Sequence, residues 1–276
     1  MDRIRLIASD MDATLLDEQS QLPADFEETI HALAELGIRF APASGRPLYT
    51  LEAMFPTLQD KLVFIGDNGG AIRWKGQNLF TSEMSPEGWR ALNRLTREQG
   101  DIAVLCGLES AYVERPFAVH DAVLRHFYTK IEYVDRLEDV TAPADKFTIY
   151  LPQHNAQQAY DTVYASQRSI YSVAVAGECW VDIMNPGVHK GAALQTLGQL
   201  WGLPSESIMA FGDTYNDAEM LQTVRYGFLM ENGSEPLRQK VPFLAPSHRE
   251  AGVMQVLHRV LAQNGCVCPE DFVPAH

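Results

Sequence analysis

Asp10 and Asp12 stand on either side of one methionine, directly after the apolar run at residues 4–9. In an extended segment, residues two apart point the same way, so both carboxylates are expected to face one site. Carboxylates that close repel and require a cation or a proton between them. Their hard oxygens suit Mg²⁺, which commonly also keeps waters and substrate phosphate oxygens. Ser44 and Gly45 close a second apolar run, and Pro47 can open a helix just beyond. A hydroxyl and backbone N–H groups at a helix start suit an anion. Lys190, followed by Gly191, opens a helical pattern after Asn185-Pro186-Gly187. A cation there runs against the helix dipole; a local anion would account for it, and a solvated lysine is the plain alternative. Asp213, Asn216 and Asp217 follow the apolar run 208–211, with Asp213 at its end and the other two in a first helical turn. Taken singly, each of these is an ordinary acidic turn, strand-to-helix turn or helix start.

The elements around them give the segments a common address. Runs 4–9, 38–43, 62–65, 208–211 and 227–230 are apolar without alternation, as strands buried on both faces are. Helical spacing separates them at 22–37, 189–201 and 217–224, and 250–263 reads as a closing helix. This pattern is α/β with right-handed crossovers. Between about 83 and 186 the pattern changes. A hairpin at Lys75-Gly76 precedes it, and Ser85-Pro86 opens a helix that Gly100 ends. Strands are expected at 102–106, 112–114, 146–151, 172–176 and 180–184, and helices at 117–128 and 155–168. That mixture reads as an inserted α+β module. Residues 266–276 lack periodicity and are expected to be a loosely held tail, with Cys266 and Cys268 as free thiols. Ligand sites of open α/β sheets lie at the carboxyl ends of the strands, where all four segments fall.

In this order, D-x-D-x-T, S-G-R, K-G and G-D-x-x-N-D resemble the haloacid dehalogenase-like phosphatase superfamily, in its Cof-type sugar-phosphatase branch. The resemblance covers roughly residues 4–263. It implies a Rossmann-like parallel-sheet core (1–82 plus 187–276) and an inserted cap domain (83–186) that sets substrate specificity. It further implies Asp10 as the nucleophile that becomes an aspartyl-phosphate, and Asp12 as the general acid/base. Asp10, Asp12 (through its carbonyl) and Asp213 match Mg²⁺ ligands, with Asp217 supporting the metal shell. Ser44, Gly45, Lys190 and Asn216 match the phosphate-binding groups, and Thr14 matches a residue that braces the loop. One position departs from the pattern: Ala13 stands where relatives carry glycine. Asp67-Asn68-Gly69-Gly70 resembles a family turn and reads as a plain hairpin. In the inserted module, Arg115, His120 and Lys146 are candidate leaving-group contacts, each with a reading as a solvated surface residue. Trp180 and Phe147 are expected to pack in its core.

The net charge of −14 disfavours nucleic acid and anionic membranes as partners. No apolar run reaches the ~18 residues of a membrane span. Four sparse cysteines and the absence of a recognisable export signal suggest a reducing cytoplasm. The expected activity is Mg²⁺-dependent hydrolysis of a small phosphomonoester, a sugar phosphate in the implied branch. A sugar phosphomutase or a non-catalytic sugar-phosphate-binding protein are the alternatives; the sequence sets no oligomeric state.

Overall fold

The computed structural model describes residues 1–276. Strand Leu6–Asp10 is buried along its whole length. Its alternate side chains feed two separate cores. Ile7 joins Phe26, Ile30 and Leu33 on one face of the sheet, while Leu6 and Ala8 join Leu194 and Leu197 on the other. A strand packed on both faces has no room for a polar stripe, which is why its sequence does not alternate.

Nine strands form the main sheet, in the order Val273–Pro274, Phe243–Ala245, Tyr226–Met230, Ile208–Gly212, Leu6–Asp10, Arg39–Ala43, Val63–Gly66, Ala71–Trp74 and Gln77–Thr81. The six from Phe243–Ala245 to Val63–Gly66 run parallel, and antiparallel strands close both edges. The first strand has Arg39–Ala43 on one side and Ile208–Gly212 on the other. The connections leave it in opposite directions, so the crevice of an open sheet falls at Asp10.

A second sheet of six strands lies between residues 102 and 184, in the order Ser172–Val175, Trp180–Met184, Ala144–Tyr150, Ile102–Gly107, Ala111–Glu114, Ile131–Val134. Helices Pro86–Gln99 and Ala156–Thr162 cover one face through Trp89, Leu92 and Ala159, against Phe147 and Ile149. Lys146 and Thr148 therefore point to the opposite face, and Thr148 is paired in register with Asp182. No helix of the protein is long and apolar enough to cross a membrane.

Several expected elements differ in the structure. The helix expected at 117–128 is a 3₁₀ segment, Arg115–His120, followed by Asp121–Phe127. Leu124 packs inward, whereas Val119 is 82% exposed, so only part of its apolar stripe is used. The helix expected at 155–168 ends at Thr162 and continues as 3₁₀. Strand Ile131–Val134 was not anticipated from the sequence.

The tail is not loose. Cys266–Val267 pairs with Asp2–Arg3, and Val273–Pro274 closes the sheet edge at Phe243–Leu244. Phe272 is buried among Tyr226, Phe228 and Phe243. The four cysteines are free, as expected. Phe272→Ala is expected to cost about 3 kcal/mol, the usual scale for emptying a buried phenylalanine site. Urea unfolding measures this, and a loss below about 1 kcal/mol would mean the tail is dispensable.

Candidate active site

Strand Leu6–Asp10 ends at the first acidic residue of the motif, and the chain then turns through Met11–Leu15, which carries the second, Asp12. The turn sends Asp10 and Asp12 to different partners rather than to one shared face. Asp10 is buried and accepts a hydrogen bond from Lys190 Nζ at 2.5 Å through Oδ1. Asp12 stays exposed, and both its oxygens accept from Arg46 Nη2, at 2.9 and 3.2 Å.

Lys190 is the first residue of helix Lys190–Trp201 and has no solvent exposure, which overturns the solvated reading. Its ammonium also donates to Asp217 Oδ1 at 2.7 Å. The other Asp217 oxygen accepts from the backbone N–H groups of Asp213 (3.0 Å) and Thr214 (3.2 Å). Asp217 thus ties the loop after strand Ile208–Gly212 to the lysine. Gly212 must be glycine here, since a Cβ would lie 2.4 Å from that of Asp217. Gly69 is similarly constrained: it has φ +100° and its added Cβ would meet the His189 carbonyl oxygen at 2.6 Å. The turn at Asp67–Gly69 therefore packs directly under the start of the lysine helix.

Asp10, Asp213 and Asp217 offer carboxylate oxygens within 4.8 Å of one another. One ammonium against three carboxylates leaves a formal charge of −2 in a buried space. Burial, then the charge of Asp217, pushes Asp10 well above the usual carboxylate range, against the pull of Lys190. The same two causes push Asp213 up to about 6. Burial works to lower the Lys190 pKa, yet Asp10 and Asp217 outweigh it and hold it above its ordinary value. The all-oxygen donor set and the excess negative charge would suit a hard divalent cation.

Ser44 and Gly45 lie between strand Arg39–Ala43 and helix Leu48–Ala53. Ser44 is buried, with Oγ accepting from the Arg46 backbone N–H at 3.1 Å. Asp12, Ser44, Gly45, Asn68 and Asn216 line one side of a cleft of about 180 Å³. The second sheet supplies Lys146, Thr148, Trp180 and Asp182 to the facing wall, and the end of helix Asp121–Phe127 adds Tyr128. Asp10, Lys190, Asp213 and Asp217 thus form one cluster, while Asp12, Ser44, Gly45 and Asn216 line the adjoining cleft.

The expected roles of some neighbours change. Thr14 donates to Asp213 Oδ1 at 3.4 Å, so it braces the partner loop rather than its own. Ala13 sits at φ +57°, in the region that favours glycine. Ala13→Gly is expected to raise stability by about 1 kcal/mol, read as a melting-temperature rise of roughly 2–4 °C. Asn232 steadies this strained residue by donating to its carbonyl oxygen at 2.9 Å. Arg115 is exposed and paired with Asp135, away from the cleft, and His120 packs edge-on against Tyr150. Lys146 does face the cleft but is buried, not solvated. Trp180 is buried as expected and also lines the cleft.

Arg46, Asn68, Thr148, Asp182 and Asn232 were not singled out as functional from the sequence. One signal was present: in Lys146-Phe147-Thr148-Ile149, polar and apolar residues alternate, marking a strand with one polar face. Arg46→Met is expected to lower kcat by about tenfold by releasing Asp12 from its aim. The cost to stability should stay under about 1 kcal/mol, because the Asp12 side of the pair is exposed. Steady-state kinetics beside thermal melting would separate these two effects; an unchanged kcat counts against the aiming role.

A family model described as haloacid dehalogenase-like hydrolase matches residues 7–257. The chain is 31% identical over 262 residues to a 5-amino-6-(5-phospho-D-ribitylamino)uracil phosphatase of Escherichia coli, covering 94% of this chain and 96% of that one. It is 30% identical to an HMP-PP phosphatase of Cronobacter sakazakii, covering 87% and 89%. A crystal structure from Streptococcus mutans superposes with a TM-score of 0.84 at 28% identity, covering 94% of this chain and 99% of that one.

Proposed function

Because the chain belongs to the haloacid dehalogenase-like hydrolases and is a phosphoric monoester hydrolase, we propose that it cleaves small phosphomonoesters, sugar or polyol phosphates among them, through an aspartyl-phosphate on Asp10. The observation that carries this reading is the buried lysine held between Asp10 and Asp217 at the switch point of the sheet. A buried carboxylate is a poor nucleophile toward an anionic ester unless cations offset the repulsion. Lys190 supplies one such charge, and Asp10, Asp12 and Asp213 would hold Mg²⁺, with Asp217 supporting them. When bound, Mg²⁺ supplies charge neutralisation and Lewis acidity at a phosphoryl oxygen.

In the proposed reaction, an Asp10 oxygen attacks phosphorus as the bond to the leaving oxygen breaks. Asp12, protonated on one oxygen and held by Arg46 through the other, gives its proton to that leaving alkoxide. Ser44, Asn216 and Lys190 steady the phosphoryl oxygens, which is most of what phosphoryl transfer requires of a protein. Asp12 then takes a proton from water as the water attacks phosphorus. Inorganic phosphate leaves, and the Asp10 carboxylate is restored.

Residues 83–186 serve in this reading as the cap that closes over the leaving group. Polar side chains at Asn68, Thr148 and Asp182 beside the indole of Trp180 suit a hydroxylated leaving group with an apolar face. One relative's name describes a ribityl phosphate joined to a uracil, an ester of that general kind.

Phosphate release from a panel of sugar, polyol and nucleoside phosphates tests the reading. Turnover is expected with Mg²⁺ and is expected to vanish with a chelator. The acidic cluster also predicts that saturating Mg²⁺ stabilises the protein, by about 2.7 kcal/mol at a hundredfold excess over Kd. Chelator-resistant turnover would exclude the metal-assisted route.

A further inference from the structure

Lys146 projects from the middle of the second sheet, on strand Ala144–Tyr150, into the crevice of the first. Its ammonium donates to the Gly45 carbonyl oxygen at 2.6 Å. It also pairs with Asp67 at 2.9 Å and lies 3.6 Å from Asp182 Oδ2. Both ends of the Asp67 contact are about 2% exposed. Its one hydrogen bond goes to a loop carbonyl and its close ion pair to Asp67, so its nearest partners belong to the loops of the first sheet, while Asp182 lies beyond hydrogen-bond reach.

What it holds is a pair of interlocked loops. The Asp67 backbone N–H donates to the Arg46 carbonyl at 3.0 Å, and the Asn68 N–H donates to the Ser44 carbonyl at 2.9 Å. Lys146 grips one point on each loop, Gly45 and Asp67. Asp67 and Asn68 are consecutive non-glycine residues with φ of +49° and +53°. Such backbone costs on the order of 1–3 kcal/mol per residue and persists only where surroundings enforce it. The turn it forms seats Asn68 in the cleft and Gly69 against the residue preceding Lys190. Other polar contacts join the two sheets' units at Thr50–Thr129 and, lining the cleft, at Asn68–Asp182.

We propose that Lys146 is a positioning residue: reaching from the second sheet, it locks together the loops that carry Ser44 and Asn68, so that the phosphate cradle is assembled only while the inserted module is seated on it. This rests on the phosphomonoesterase reading above. Lys146 acts through Gly45 and Asp67, and touches neither the phosphoryl group nor the nucleophile.

Two variants test it: K146M, and the double variant K146M/D67N, which leaves no charge orphaned at Asp67. In the double variant Asp182 keeps the Thr148 hydroxyl as a partner at 2.8 Å, so the fold should survive. Both are expected to lose at least about tenfold in kcat with every ester, p-nitrophenyl phosphate and sugar phosphates alike. Affinity for inorganic phosphate, titrated calorimetrically with Mg²⁺ present, should weaken by a similar factor. A loss confined to sugar phosphates, with phosphate affinity unchanged, would make Lys146 a leaving-group contact and overturn the proposal. Unchanged kinetics and affinity in a stable double variant would do the same. The calorimetric arm decides the point even if wild-type protein cleaves none of the esters; that result would count against the hydrolase reading alone.

Discussion

Asp10→Asn is expected to lower phosphate release by on the order of 10³-fold or more, the scale seen when a covalent nucleophile is removed. The amide keeps the size and most of the packing of the carboxylate, so the loss cannot be assigned to collapse of the site. Stability should move the other way or not at all. Asp10 shares a buried space with Asp213 and Asp217, and its charge is opposed by burial and by theirs. Replacing it with a neutral side chain relieves that repulsion. Without divalent metal, the variant is therefore expected to melt no lower than wild type. A variant that melted normally but retained near-normal turnover would remove Asp10 from the reaction.

Lys190→Met is expected to damage both activity and stability. Its ammonium is fully buried and is a shared partner of Asp10 and Asp217. Breaking a buried ion pair by deleting one partner commonly costs about 3–5 kcal/mol, because the remaining charge is left unpaired. Asp217 would still accept from the backbone of Asp213 and Thr214, so a loss near 3 kcal/mol is the better expectation. Turnover should fall by on the order of 10³-fold, since the charge offsetting nucleophile and phosphate is gone. The double variant D10N/K190M should recover part of the stability and none of the activity. Equal stability of K190M and wild type in metal-free buffer would contradict the ion-pair account.

The acidic composition and the anionic substrate are reconciled locally. Lys190 and Lys146 are both fully enclosed beside carboxylates, and Arg46 stands at the cleft. Cations fixed in low-dielectric positions act far more strongly on a small ligand than the screened surface charge does. The net charge of −14 still disfavours polyanions, which must meet the whole surface.

Much of this was legible in the sequence, for identifiable reasons. The parallel strands announced themselves because burial on both faces requires unbroken apolar runs, as at Leu6–Ala8 and Ile208–Phe211. The placement of the candidate site residues was legible because strand ends fix it: Asp10, Ser44 and Asp213 each close or directly follow a parallel strand. What was not legible depended on partners distant in the chain. Asp67-Asn68 reads as an ordinary turn until Lys146, in another sheet, is brought to Asp67. The shared orientation expected of Asp10 and Asp12 assumed that the strand continues. It stops at Asp10, and Arg46 captures Asp12. Residues 266–276 lack periodicity because they add short strands to existing edges, and only Val267, Phe272 and Ala275 among them are buried. Val119 follows the helical stripe yet finds nothing to pack on, so periodicity overstated that element.

The covalent step itself is open to direct observation. Wild-type protein, mixed with a turned-over phosphomonoester and Mg²⁺, can be acid-quenched during turnover, reduced with borohydride and mapped by peptide mass spectrometry. Reduction converts a phosphorylated aspartate to homoserine. The account predicts homoserine at position 10 alone, dependent on substrate and absent with chelator. Sustained phosphate release with no modified aspartate, or with the modification at another position, would contradict it.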